Sequence, residues 1–359
     1  MSKFGNIGRP VLLYEAYMDW RDDLLAKGEA GDGMDLAEAK TKADFASFLY
    51  GPVQQSVYNG YTKVSPQYRK YGKIENVNDF RARRIRGLNG ISGIGYVGDS
   101  GEYAEMDRTE RPNAELVIDT YGGVYGITRQ AIINDDSGSL LKDNPSEMGY
   151  AAAVFVTETI IAYIESNPTA PDGTATFDAS RNNAVTTALS EDSLATAIST
   201  MENQLDDDGR QIVVRPRTLA VKNVRLELIA NRIIRSQDTG AQQTYTGAAG
   251  VGSSVFDKGT DNMLAGILPA DAVVRDPYWS DANDWYLFAD PSDVQGFCIG
   301  FLNGKETPSV FLKDTEARTA MGSGSDPYTW ELDSVDFKVR LDFGVTIADP
   351  RAVYRSVVA

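Results

Sequence analysis

YGGVYGITRQAIINDD, residues Tyr121 to Asp136, reads as a strand that ends in glycine and turns into a helix. Upstream, residues 74 to 127 are strand-like. They open with the basic run Arg81, Arg83, Arg84 and Arg86, pass through a glycine-rich centre from Gly87 to Gly101, and return as Leu116, Ile118, Thr120 and Tyr121. This pattern predicts a long two-stranded hairpin with a flexible tip. Such a hairpin is marginal alone in water, because its strands lack an opposing layer. It is therefore expected to pack on another subunit. Downstream the helical pattern is broken by NDDSGSLLKDNP near Asn134 to Pro145 and resumes as GYAAAVFVTETIIAYIES. Val154, Glu158 and Ile161, with Phe155, Thr159 and Ala162, predict a helix packed on more than one side, stopped at Asn167-Pro168.

Working outward, the chain before about Tyr61 carries two helical stripes. One is Leu13, Tyr17, Trp20 and Leu24; the other is Phe45, Phe48 and Leu49, ended by Gly51-Pro52. They read as an arm that needs a surface to lie against. Beyond the long helix, Thr169 to Asn183 reads as a surface loop. Ser190 before Glu191 and Asp192 is an N-cap, and Leu194, Ile198, Met201 and Leu205 continue the helix to the turn Asp206-Asp207-Asp208-Gly209. Strands are expected at Gln211 to Val214 and Thr218 to Val221, then a helix with Val224, Leu228 and Ile229. After a Gly/Ala/Ser/Thr-rich loop at 239–259 come strands at Met263 to Leu268, Ala272 to Arg275, Trp285 to Ala289 and Phe297 to Leu302. Phe337, Val339, Leu341, Phe343 and Val345 alternate with charged residues in a half-buried strand. The class is α+β.

With 359 residues, the chain is long enough for two lobes or one body with extensions. Its hydrophobic (42%) and charged (24%) fractions suit an ordinary folded protein. No apolar run approaches a bilayer span or a signal peptide, so no membrane partner is expected. Cys298, the single cysteine, lies in GFCIGFL and reads as buried and inert. Histidine is absent, which removes the usual general acid/base and the commonest metal ligand. The net charge of −16 gives a field that repels nucleic acid.

Gly93 to Gly98 matches G-x-G-x-x-G, yet Asp99-Ser100-Gly101 follows where a helix should begin, so the dinucleotide reading fails. Asp206 to Gly209 fails an EF-hand register, because Arg215 would occupy the bidentate twelfth position. Asn134, Asp135, Asp136 and Asp143 bring carboxylates together without a second motif, and read as capping or subunit contacts. No catalytic, cofactor-binding or metal-ligating residue is expected. The hairpin arginines are expected to meet acidic surfaces of neighbouring subunits, where bidentate pairing sets register.

In this setting the sequence resembles the major capsid proteins of tailed bacteriophages with the Hong Kong 97 fold, nearest the Mu-like major head subunit branch. Four features carry the resemblance, in order: Tyr121 to Asp136; Pro216-x-x-Leu219-x-Val221 before an amphipathic helix; Trp285 to Pro291 with Gly296 to Gly304 and Pro308; and the strand Phe337 to Val345. Thr128-Arg129-Gln130 stands where the branch usually has Ser-Arg-Glu. The resemblance implies an N-terminal arm (1–73), an extended-loop hairpin (74–126), a peripheral domain with a long spine helix (127–184), and an axial domain (185–310). C-terminal strands (311–359) would complete the peripheral domain, with the end returning to the axial side.

The implied function is self-assembly into pentamers and hexamers of an icosahedral shell around double-stranded DNA, in the virion, after assembly in the host bacterial cytoplasm. An encapsulin-type compartment is the alternative. Implied partners are further copies, a scaffold or protease, portal and decoration proteins, and DNA contacted weakly and non-specifically. No charged coiled-coil scaffold segment is present, so scaffold and protease are separate proteins or the chain is already processed. Expected subunit contacts are Arg81, Arg83, Arg84 and Arg86, Glu102 and Glu105 near the hairpin tip, and Tyr17 and Trp20 on the arm. Arg129, Asn134, Asp135 and Asp136 would be the hinge that fixes hairpin to helix.

Overall fold

The computed structural model describes residues 53–87, 91–92, 94, 96–97, 99, 101, 103, 105–108, 112–128, 134, 143–206, 209–235, 264, 266–312 and 334–358. The expected arm helices and the loop at 239–259 lie outside these residues. In chain order the described elements are α1 (53–61), α2 (Tyr68–Tyr71), β1 (Gly72–Val77), β2 (Arg83–Ile85), β3 (Ile91–Ser92), β4 (Asp107–Arg108), β5 (Ala114–Leu116) and β6 (Asp119–Thr128). Then follow α3 (Asp143–Glu165), β7 (Ala184–Val185), α4 (Glu191–Glu202), β8 (Pro216–Val221), α5 (Val224–Arg235) and β9 (Val273–Arg275). The chain closes with β10 (Trp285–Ala289), β11 (Phe297–Leu302), β12 (Ser309–Leu312), β13 (Ser334–Ile347) and β14 (Val353–Ser356). The fold is α+β, as the sequence predicts.

Two compact units divide the described residues. The first draws on Met1–Ser65, Thr120–Phe155 and Lys305–Asp342, the second on Pro66–Asp119, Val156–Gly304 and Phe343–Ala359.

In the first unit, α1 crosses the start of α3 with no room between the backbones. A Cβ on Gly60 would lie 1.8 Å from the Ser146 carbonyl oxygen, and one on Gly149 would lie 1.9 Å from that of Val57. Lys63 Nζ donates to Ser146 Oγ (3.1 Å) beside this crossing. The sequence reading did not foresee α1, having taken Gly51-Pro52 as a stop, whereas proline also favours a helix start. Pro145 likewise sits in the first turn of α3 rather than breaking it. The edge of the unit is made by β12 and β6 pairing with β13. Thr120 Oγ1 donates to Asp342 Oδ1 (2.6 Å).

In the second unit a five-stranded sheet runs β7-β14-β10-β8-β9. All five residues of β10 are buried, as befits a strand covered on both faces. Trp279 stacks on Tyr286 (4.2 Å), Tyr71 on Phe288 (5.1 Å) and Trp285 on Tyr354 (5.7 Å). Trp285 Nε1 donates to the Thr187 carbonyl oxygen (3.0 Å), satisfying the buried indole. Elsewhere in the unit β1 runs parallel to β11, which pairs antiparallel with Phe343 to Ile347 of β13.

Several expectations are met. Ser190 and Ser193 form a reciprocal capping box (3.1 and 2.8 Å). Asn167 stops the long helix with a left-handed φ of 52°. Asp206 accepts from the Arg210 amide (2.7 Å) at a turn, where Gly209 has φ 75°.

Others need correction. Residues 74–77 are not a hairpin strand; they form β1 in the sheet, and the hairpin begins at β2. Gln211 to Val214 is no strand: Ile212 and Val214 are buried and Val213 exposed, but only Gln211 is bridged, to Leu205. The strand expected at Met263 to Leu268 is a turn where it is described, because Gly266 has φ 86° and Ile267 N–H donates back to the Leu264 carbonyl (3.2 Å). Leu205 lies beyond the end of α4 and is exposed, and on α5 the buried face is Ala230, Ile233 and Ile234 while Val224 and Leu228 are exposed.

The buried face of α3 is Ala152, Ala153, Val156, Thr157, Ile160, Ile161 and Ile164, one ordinary 3.6-residue stripe. Phe155, Glu158 and Ala162 are exposed, so in the single chain the helix is packed on one side. By length and composition alone α3 could cross a bilayer, but its apolar stripe is buried inside the protein. On β13 the alternation holds from Phe337 to Phe343 and then fails: Val345 is half-buried and Thr346 buried, because that end is covered on both faces.

Replacing Gly149 by Ala should destabilise the helix crossing. Helix propensity returns about 1 kcal/mol, but a Cβ against an immovable carbonyl brings an overpacking cost at the upper end of about 1–3 kcal/mol. The net loss of about 1–2 kcal/mol is expected as an earlier denaturant midpoint by circular dichroism. Cys298 is fully buried, and burial pushes its thiol up to about 12. It should ignore an aromatic disulfide reagent until denaturant is added; fast modification of the folded chain would refute this burial.

Candidate functional site

The hairpin is the feature that most alters what the second unit can do. Its ladder joins Arg83 to Leu116 and Ile85 to Ala114, then Ile91 to Arg108 and Ser92 to Asp107. Its root is built into a core: Ile85, Ala114, Leu116 and Ile118 pack with Val77, Cys298, Ala348 and Leu302. Gly300 makes the room, since a Cβ there would meet Leu116 at 2.7 Å and Ile118 at 2.9 Å. Gly344 does the same for the backbone, where a Cβ would lie 1.8 Å from the Val117 carbonyl oxygen.

Towards the tip the chemistry reverses. Ile94 (86%), Tyr96 (99%), Tyr103 (88%) and Met106 (53%) are largely exposed. Four exposed large apolar side chains in one short segment suit a surface used for contact with another molecule. The sequence reading valued this segment for its glycines and missed these side chains. The available signal was aromatic and branched residues inside a stretch where a solvated turn would be polar.

Of the four hairpin arginines all are exposed. Arg83 is committed within the chain: it pairs with Glu75 (3.2 Å) and donates to the Asn76 carbonyl oxygen, while Lys73 pairs with the same glutamate (3.1 Å). The Arg81 amide donates to Asp79 Oδ1 (3.3 Å). Arg84 and Arg86 have no ion pair among the described residues, and they flank buried Ile85 on the alternating strand. Glu105 is exposed near the tip. Asn134 lies in an exposed turn; Arg129, Asp135 and Asp136 lie outside the described residues, as do Glu102, Tyr17 and Trp20.

A second polar cluster surrounds the end of β10. Arg217 Nη1 donates to Asp290 Oδ2 (2.6 Å), and Arg215 grips Asp293 with two bonds of 2.7 Å. Burial acts to raise the Asp290 pKa, but bonds from the Ser292 hydroxyl and amide and from Arg217 outweigh it and hold the carboxyl at about 2. Deeper in the same unit Asp276 is buried, and Tyr71 OH donates to its Oδ2 (3.4 Å). Burial raises the Asp276 pKa, and burial followed by the Asp276 charge raises that of Tyr71. Neither cluster pairs a nucleophile with a base, and among the described residues no group of three side chains could hold a metal ion.

The family model described as phage capsid protein matches residues 113–356, more than half of the chain, from the returning side of the hairpin through β14. No curated protein matches the chain by sequence. Among solved structures, one from Mycobacterium phage Adephagia is 15% identical, with 82% of this chain and 90% of that one covered and a TM-score of 0.47. The capsid structure of the cyanophage P-SCSP1u is 12% identical, covering 81% and 88%, with a TM-score of 0.48. The holo-SrpI encapsulin complex from Synechococcus elongatus is 11% identical, covering 82% and 88%, with a TM-score of 0.45. None of the three reaches a TM-score of 0.5.

The buried Asp276 gives a pH signature. Its folded pKa is raised, so the cost of its charge is absent in acid and appears as pH rises through that value. Asp276→Asn keeps the shape and removes the charge. It should raise the melting temperature at neutral pH by a few degrees, and the gain should vanish as pH falls below the ordinary carboxylate range. An equal gain at every pH would show that charge is not the cause.

Proposed function

Since the chain belongs to the phage capsid protein family and is a major capsid protein that forms the shell, we propose that its fold is of the Hong Kong 97 type, in the Mu-like major head subunit branch. In this reading residues 1–73 are the arm, 74–126 the extended loop, entered through the sheet residues 74–77 of β1 and with its hairpin starting at β2, 127–184 the peripheral domain with α3 as spine, 185–310 the axial domain, and 311–359 the strands that complete the peripheral domain. Subunits gather into pentamers and hexamers, and these close an icosahedral shell around double-stranded DNA. The work is done by contact area and geometry, without catalysis. Specific interfaces of roughly 1,200–2,000 Å² each suffice when many close together.

The observation that carries the reading is the hairpin: its root is locked in the subunit core while its tip exposes Ile94, Tyr96, Tyr103 and Met106. We assign the tip to the surface of a neighbouring copy. Arg81, Arg84 and Arg86, with Glu105, would set its register by pairing with charges there. Arg83 contributes through its own Glu75, which stiffens the root. Residues 129–136, with Arg129, Asn134, Asp135 and Asp136, would be the hinge between hairpin-bearing body and spine. Assembly in the host bacterial cytoplasm, with scaffold or protease, portal and decoration proteins as partners, follows from the same reading.

Charge reversal at both Arg84 and Arg86 should leave the subunit folded, with an unchanged melting curve, and abolish shells in electron micrographs. Tyr96→Ser with Tyr103→Ser should do the same by removing apolar contact area. Normal shells from both variants would sink the assignment of the hairpin. Shells that form with protein cargo and never with DNA would point instead to a compartment of the encapsulin kind.

A further inference from the structure

In the second unit a cleft of about 360 Å³ opens among Arg69, Lys70, Arg217, Asp271, Asp290 and Ser292. Pro291 and Thr218 complete its wall. Three cations face two carboxylates, in a protein whose net charge is −16. The balance is one positive charge, since Arg217 and Asp290 offset each other, and the acceptor oxygens of Asp290 are further taken up by the Ser292 amide (2.9 Å) and the Ser292 hydroxyl (2.7 Å). Both wall hydroxyls are spent as donors, Thr218 Oγ1 on the Lys70 carbonyl oxygen (2.9 Å) and Ser292 Oγ on Asp290.

Lys70 and Arg217 keep capacity. Among the described residues Lys70 Nζ makes only a long hydrogen bond of 3.4 Å, to the Asp271 carbonyl oxygen. Arg217 uses Nη1 on Asp290 and has half of its side chain exposed. Arg69 and Lys70 come from one short helix, α2, and Arg217 from β8, so the donors approach from two elements.

We propose that this cleft is a binding site for a phosphate oxyanion. A tetrahedral group presents oxygens in several directions and suits dispersed cationic donors better than a planar carboxylate, which suits a single guanidinium fork. The volume lies in the range of small-ligand sites and admits a sugar-phosphate unit. Two sources share this chemistry: a nucleic-acid backbone and free phosphate. The first rests on the capsid reading, the second does not.

The test uses the purified full chain. Calorimetry with inorganic phosphate and fluorescence anisotropy with a labelled oligothymidylate measure the two sources. Binding of both is expected, with phosphate displacing the oligonucleotide and with about a sevenfold loss of oligonucleotide affinity for a fourfold rise in salt, as for two contacted phosphates on a single strand. Lys70→Gln combined with Arg69→Gln should weaken both at least tenfold, whereas Lys305→Gln, in the first unit, should change neither. The single Lys70→Gln variant serves if the pair lowers the melting temperature. Phosphate binding without oligonucleotide binding supports the site and assigns it to free phosphate. Binding of neither, or binding indifferent to Lys70, overturns the proposal. Variant-sensitive binding of polyglutamate without phosphate overturns it in favour of an acidic protein partner. Shell formation, scored separately by electron microscopy, tells failure of this site from failure of the capsid reading.

Discussion

The hairpin can project only because its root has somewhere to sit, and that seat exists where two glycines leave space. At Gly300 the missing side chain lets Leu116, Ile118 and Val77 close over β11; at Gly344 it lets the Val117 carbonyl touch the backbone of β13. Leu116 and Ile118 are then buried, each contributing about 1.5–3 kcal/mol by removal from water. A ribbon with two strands has little stability of its own. Its order at the root is therefore borrowed from the sheet beneath, and its tip is free to carry apolar side chains that no subunit core could use.

Much of this was legible in the residues. Alternation located β13, and continuous apolar runs located β10 and β11 with the correct ends, because those strands are covered on one or both faces in the way the pattern assumes. Ser190 and Asn167 announced their helix ends through side-chain chemistry that acts locally. What the sequence concealed was tertiary. Ile74 looks like a hairpin strand, and only the parallel partner Phe297 to Leu302 shows that it belongs to a sheet. The stripe on α3 was misplaced because almost every position is apolar, so periodicity had no contrast to report. At 211–214 the pattern was right, but no partner strand lies beside it among the described residues.

The site was legible in part. The arginine run was visible, but not that Arg83 turns inward to Glu75 while Arg84 and Arg86 stay outward. Charge totals were a poor guide to local field. A chain at −16 still assembles Arg69, Lys70 and Arg217 around one cleft, since residues far apart in sequence meet through the sheet. The long-range repulsion of an anionic ligand falls off within a Debye length of about 8–10 Å at ordinary salt, so a local cationic cleft need not be overruled by the global sign.

The ladder of the hairpin has a consequence for how its length can change. Ile85 faces Ala114 and Ile91 faces Arg108, so the register advances by six positions on each arm from one ribbon to the next. A single insertion in one arm would turn every outer side chain beyond it to the opposite face. Related chains that reach farther or less far should therefore differ by matched additions to both arms, in steps that preserve facing. Drift in this part of the molecule is quantised, and an odd-length change in one arm alone marks a chain whose hairpin has been rebuilt.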